Sequence, residues 1–236
     1  MIKYFAPQRP SVIVALADTA DSQRLHHRLR YQVYCQRLAY EDPTRFPDGE
    51  ERDCYDEHAV QFIAYDMRRA DWVGTLRLIP PDPLGLPMTS LAGLASHVVP
   101  LIRQRRVAEI SRMCVAPTAP SDASSRPGGG DSALAFFALI RASVAYACRQ
   151  GFDHLAFLTT LSLSRLLGRM GIADQPAGDG CHHHGVRYPR IANVMQAYRT
   201  LVEAPDDTPY SRQLAREPFV RFSALVGPGL PLTALG

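Results

Sequence analysis

Apolar runs of strand length alternate with segments of helical period along this chain, and only a layered packing buries both. Ser11 to Leu16 reads as a first strand. Asp21 and Ser22 are helix-capping types and predict a helix from about Gln23 to Gln36. Val60 to Tyr65 and Trp72 to Ile79, separated by a polar stretch, read as an antiparallel hairpin. Pro80 to Pro87 breaks the chain, and Arg106 to Val115 resumes it as a strand. Ser132 to Arg149 reads as a long helix, with apolar residues at positions 134, 137, 140, 144, 145 and 148. A short strand at His154 to Leu158, a helix from Ser162 to Met170 stopped by Gly171, and a helix from Ile191 to Leu201 complete the pattern. This order predicts an α/β fold of three layers, α/β/α, around one sheet. No internal repeat or shift in composition marks a boundary, so residues 1–236 read as one domain. The Pro/Gly-rich tail at 218–236 has no assignment.

A hydrophobic content of 46% argues against wholesale disorder. The longest apolar runs, such as Ala133 to Ile140, fall short of the ~20 residues that a membrane helix needs. Net charge is only +3, too even for a dedicated nucleic-acid binder. All the basic residues except Lys3 are arginines, whose planar forks suit carboxylates and phosphates. The five cysteines form no CxxC pair and fit a reducing compartment. Val12 to Ala17 is too short for a signal-peptide core, so the expected location is cytoplasmic.

Several motifs carry charge into apolar surroundings. In Arg30-x-x-Val33-Tyr34-x-x-x-Leu38-x-Tyr40, a regular helix places Arg30, Tyr34 and Leu38 on one face. An amphipathic helix with an arginine at its edge explains the same spacing. Glu51-x-Asp53-x-Tyr55-Asp56 crowds carboxylates that repel unless cations stand nearby, without the oxygen-ligand spacing of a calcium or magnesium loop. Arginines from elsewhere, or plain solvation, would relieve it. Arg77 lies inside the apolar run Gly74-Thr75-Leu76-Arg77-Leu78 and needs either water or a carboxylate. Glu109 and Arg112 interrupt the strand Val107 to Val115, on opposite faces if it alternates strictly. A β-bulge between them would bring both to one cleft. Cys114 has no identifiable base and receives no role. His182 to His184 lack ligands at metal-site spacing, so no metal is expected there. Arg126-Pro127-Gly128-Gly129-Gly130 is either a phosphate-cradling loop or a linker.

Taken together and in this order, the motifs resemble the autoinducer-synthase-like branch of the GNAT acyltransferase superfamily. That branch includes acyl-homoserine-lactone synthases and long-chain N-acyl amino acid synthases. The likeness is nearest to acyltransferases associated with PEP-CTERM/exosortase systems. It runs over about residues 24–200, through Ser164-Arg165-Leu166-Leu167-Gly168-Arg169-Met170-Gly171-Ile172 and His183-His184-Gly185-Val186-Arg187-Tyr188-Pro189. It implies a GNAT-like fold whose mixed central sheet has a splayed pair of central strands. By position, Arg30, Tyr34, Tyr40, Asp53, Asp56, Arg77, Glu109 and Arg112 match the synthases' characteristic set. Homoserine-lactone synthases usually carry phenylalanine and tryptophan where this chain has Tyr34 and Tyr40, a departure that points away from S-adenosylmethionine.

What the resemblance implies is an N-acyltransferase. It would move a long-chain fatty acyl group from acyl carrier protein to the amine of an amino acid or a similar small acceptor. Glu109 is the expected base and Arg112 its catalytic partner. Arg30, Tyr34, Tyr40, Asp53, Asp56 and Arg77 are expected to shape the acceptor pocket. No cofactor is expected to be permanently bound, since a phosphopantetheine thioester arrives with the donor. Arg103, Arg105, Arg106, Arg141, Arg149, Arg165 and Arg169 are the candidates for steering the acidic carrier. The alternatives are an acyl-homoserine-lactone synthase using S-adenosylmethionine, and a non-catalytic acyl-carrier or effector-binding module.

Overall fold

A computed structural model describes residues 10–116, 130–203 and 214–225. Its sheet runs in the order β6-β8-β5-β4-β3-β2-β1-β9. These strands are β1 (Val12–Leu16), β2 (Val60–Asp66), β3 (Asp71–Ile79), β4 (Val107–Val115), β5 (His154–Thr159), β6 (Asp174–Pro176), β8 (Val186–Asn193) and β9 (Val220–Arg221), while β7 (Cys181–His182) pairs with β8 alone. The β4–β5 and β1–β9 pairs are parallel and the rest antiparallel, so the sheet is mixed, as expected.

Helices cover both faces. α4 (Gly130–Arg149), α5 (Leu161–Arg169) and α6 (Val194–Tyr198) lie on one side, where Leu134, Phe137 and Val144 of α4 meet Phe62, Leu76 and Ala108 of the sheet. α1 (Ala20–Arg30) and α7 (Phe222–Leu225) lie on the other, packing Leu25, Leu29 and Phe222 against Ile63 and Trp72. α2 (Met88–Leu91) and α3 (Val99–Arg103) extend that second layer over Val107 and Ala156. Among the described residues, α4 is the one helix long and apolar enough to cross a membrane, yet two-thirds of it is buried in the core. At Gly74 the backbone of β3 comes so close to α4 that an added Cβ would stand 3.1 Å from Leu139 Cδ1.

Strands β6 to β9 and helices α2, α3 and α7 stand outside the expected pattern, and two boundaries differ from it for local reasons. Residues 191–193 belong to strand β8, paired with β5, and the helix begins only at Val194, capped by the Asn193 side chain. The apolar run there serves a buried strand first, which periodicity alone does not separate from a helix. The first helix changes character as well: after Arg30 it continues as a π-helical segment, Tyr31–Arg37, closed by Leu38 N–H donating to the Val33 carbonyl. The tail contributes β9 and α7. Residues 126–129 of the glycine loop lie outside the described residues, and Gly130 opens α4.

Candidate active site

The ladder between β4 and β5 ends at Ile110 and Phe157, although β4 runs on to Val115 and β5 to Thr159. The two strands therefore part, and a cavity of about 1360 Å³ occupies the opening. Its walls come from both faces of the sheet. On the α4 side they are apolar: Phe136, Ile140 and Val144 from α4, Leu155 and Phe157 from β5, Leu167 from α5. On the α1 side they are polar, with Tyr34, Glu41, Asp53, Arg77, Glu109 and Arg112.

A bulge is present in β4, but at Arg112–Met113 and not between Glu109 and Arg112. Thr75 pairs with Cys114 and Arg77 with Ser111, so Arg112 and Met113 together oppose Leu76. Arg112 takes a left-handed conformation (φ 48°), which costs about 1–3 kcal/mol for a non-glycine residue. With the period broken, Glu109 and Arg112 line the same cavity.

Glu109 is 2% exposed, and its Oε2 accepts a hydrogen bond from Met88 N–H at 2.8 Å. Burial pushes its carboxyl up to about 8, against smaller opposing pulls from that hydrogen bond and from Arg77. Such a group changes charge close to neutral pH, as a general base requires.

Beside it stands a buried ionic network. Arg77 Nη1 holds Asp53 at 2.6 Å and Asp56 at 3.0 Å. Arg112 Nη2 reaches Glu51 at 3.1 Å, Glu41 at 3.3 Å and Asp53 at 3.4 Å. Arg30 holds Glu51 at 2.5 Å and Asp56 at 2.6 Å. Burial works against the charged form of Asp56, but the Arg30 and Arg77 guanidiniums outweigh it and hold its carboxyl well below the usual range.

The structure therefore brings all eight expected residues into one neighbourhood but gives them different positions. Tyr34, Tyr40, Asp53, Arg77, Glu109 and Arg112 line the cavity. Arg30 and Asp56 do not; they brace its wall from behind, with Arg30 wholly buried. The reason is the π-helical turn, whose wider i→i+5 step rotates Tyr34 and Leu38 off the face that Arg30 occupies. Leu38 is accordingly 41% exposed. Tyr34 O–H donates to the Met113 carbonyl at 2.9 Å, tying that turn to the bulge.

Glu51 and Glu41 complete the network although neither stood among the expected site residues; Glu51 opened the acidic motif and was the available signal. The histidine run also finds a place. His184 stacks on Tyr40 with ring centres 4.8 Å apart and faces Glu41 at 3.6 Å. Nothing local in three successive histidines foretells that contact.

Residues 29–124 match the acetyltransferase (GNAT) domain family. The chain is 28% identical over 164 residues to an acyl-homoserine-lactone synthase of Ralstonia solanacearum, spanning 69% of this chain and 76% of that one. The chain has a GNAT-like fold. Among solved structures, the fold is shared with TofI in a ternary complex with an inhibitor and MTA (TM-score 0.59, 21% identity, 87% of this chain and 98% of that one). It is shared too with FeeM, an N-acyl amino acid synthase from uncultured soil microbes (TM-score 0.55, 17% identity, 82% and 98%).

The arginines expected to steer a carrier divide sharply. Arg141 is buried and donates to the carbonyls of Leu201, Ala215 and Arg216, so it is a structural tie and not a docking residue. Arg105 pairs with Asp82, Arg106 with Asp153 and Arg149 with Glu217. Arg103, Arg165 and Arg169 are exposed, and Arg169 lines the cavity.

Proposed function

We propose that this enzyme transfers a long-chain fatty acyl group from the phosphopantetheine thioester of acyl carrier protein to the amine of an amino acid or similar acceptor. The observation that carries this reading is the two-sided cavity at the β4–β5 opening: an apolar chamber on the α4 side, and a charged chamber with Glu109 on the other. The thioester carbonyl would lie in the opening, with its acyl tail among Phe136, Ile140 and Leu155. Glu109 takes a proton from the acceptor ammonium, directly or through a water, and frees the nitrogen lone pair. The nitrogen attacks the carbonyl and the C–N bond forms. Backbone N–H groups on the strand edges that face the opening serve the oxyanion. The C–S bond then breaks, the leaving thiolate takes the second proton from the nitrogen as the amide forms, and Glu109 releases the first to solvent and returns to its starting state. No covalent acyl-enzyme and no resident cofactor enter this scheme, and Cys114, buried and bonded to Thr75, has no part in it.

Incubation with hexadecanoyl-acyl carrier protein and a mixture of amino acids should yield N-acyl amino acids by mass spectrometry. A second reading, an acyl-homoserine-lactone synthase with S-adenosylmethionine as acceptor, is favoured by the likeness to the Ralstonia solanacearum acyl-homoserine-lactone synthase. Formation of an acyl-homoserine lactone with methylthioadenosine, and no amide from the amino acids, would overturn the first reading in its favour. We assign the reaction to the cytoplasm and associate it with the PEP-CTERM/exosortase-type acyltransferases on the sequence resemblance.

A further inference from the structure

Each guanidinium of the inner network already has carboxylate partners: Arg30 has Glu51 and Asp56, Arg77 has Asp53 and Asp56, and Arg112 has Glu41, Glu51 and Asp53. A substrate carboxylate arriving at Arg77 or Arg112 would have to displace one of them, which leaves a buried charge uncompensated. Arg187 is placed differently. It sits on β8, half-buried, in the cavity wall. The one hydrogen bond of its side chain among the described residues runs from Nη1 to the neighbouring Val186 carbonyl at 3.1 Å, and no carboxylate among them pairs with it.

A chain of contacts puts Arg187 at the polar end. His183 and His184 have ring centres 4.4 Å apart, and His184 lies on Tyr40 and against Glu41, itself a partner of Arg112. Burial, then the charges of His184, Arg112 and Arg187, hold the His183 imidazole below its usual range, so these groups share one field. Arg37, at the end of the π-helical segment, lines the same cavity and likewise has no carboxylate partner among the described residues.

We propose that Arg187, with Arg37 in support, receives the α-carboxylate of the acceptor and so turns its amine toward Glu109. A guanidinium fork matches a carboxylate with two parallel hydrogen bonds, and here it need break no existing pair. The assignment rests on the reading that the acceptor is amino-acid-like. It holds for S-adenosylmethionine as well, which bears the same group. Its consequence is that acceptors need a free carboxylate, and that the corresponding carboxamides are poor.

The test offers hexadecanoyl-acyl carrier protein an equimolar mixture of L-amino acids or of their carboxamides. The wild-type enzyme should form N-acyl amino acids at least about tenfold over the amides. Arg187→Gln should lower the acid products roughly ten- to a hundredfold through KM, the range for one charge-assisted interaction, and leave the amide products within about twofold. Arg187→Lys should recover part of the loss, and Arg37→Gln should show a smaller effect of the same kind; thermal unfolding of each variant checks its fold. An unchanged acid-to-amide ratio in Arg187→Gln overturns the assignment. If the wild type acylates neither mixture, the proposed reaction fails, and the assignment is then decided by calorimetry with N-hexadecanoyl amino acids. Weaker binding by Arg187→Gln upholds it there, and equal affinity overturns it.

Discussion

In the proposed reaction Glu109 is the base, a carboxyl whose pKa burial raises. Its ordinary value is 4.5 and its folded value about 8. kcat/KM should therefore rise with pH, reach half its maximum near pH 8 and level off above it, and Glu109→Gln should lower kcat by roughly 10²- to 10⁴-fold while abolishing that rise. Stability follows with a definite sign. Below about pH 4.5 both states hold the proton; between there and pH 8 only the unfolded state releases it, so folding loses stability as pH rises. Glu109→Gln should remove this loss, and its unfolding free energy relative to wild type should increase from pH 4.5 to 8 in denaturant titrations. Arg30 makes the opposite case, since it is wholly buried and shared by Glu51 and Asp56. Arg30→Met leaves both carboxylates short of a partner, and thermal unfolding should register a loss of about 3–5 kcal/mol.

The elements decide what reaches those residues. β8 and α6 close the apolar chamber with small side chains, Ala192 and Ala197, both buried. Leu155, the cross-strand partner of Ala192, and Val144 line the same cavity. Ala197→Leu inserts bulk at this end wall without touching Glu109. The longest acyl donors should lose turnover while shorter ones keep it, as a series of acyl carrier proteins of graded chain length would show; a uniform loss at all lengths would mean a folding defect. The π-helical turn matters at the same scale. It lets one continuous helix bury Arg30 under the acidic loop and still deliver Tyr34 to the bulge at Met113.

At the scale of the molecule, Arg165 and Arg169 of α5 are both exposed and Arg169 lines the cavity, so the proposed acidic carrier is tested here. KM for acyl carrier protein should rise with ionic strength, because exposed charge pairs are screened over a Debye length of about 8–10 Å. Arg165→Glu with Arg169→Glu should raise that KM several-fold at low salt and leave kcat at saturation near wild type. Salt-independent kinetics and equal use of acyl-coenzyme A would remove the carrier from the scheme.

Local pattern alone determined the strands β1 to β5, the long helix α4, the layered class and the alternation that made Glu109 and Arg112 conspicuous, since burying a period-2 or period-3.6 face is a nearest-neighbour requirement. The same pattern marked the acidic motif whose carboxylates needed arginines. Which arginine meets which carboxylate was beyond it, because those pairs join positions as distant as Arg112 and Glu41. The burial of Arg141 and the strand identity of residues 191–193 were equally beyond it: both follow from partners that only the assembled sheet and its covering helices supply. The stacking of His184 on Tyr40 is of the same kind. The Glu109 pKa too belongs to the tertiary structure, for it arises from the water excluded by α2, α3 and the sheet, and no sequence neighbour carries that information.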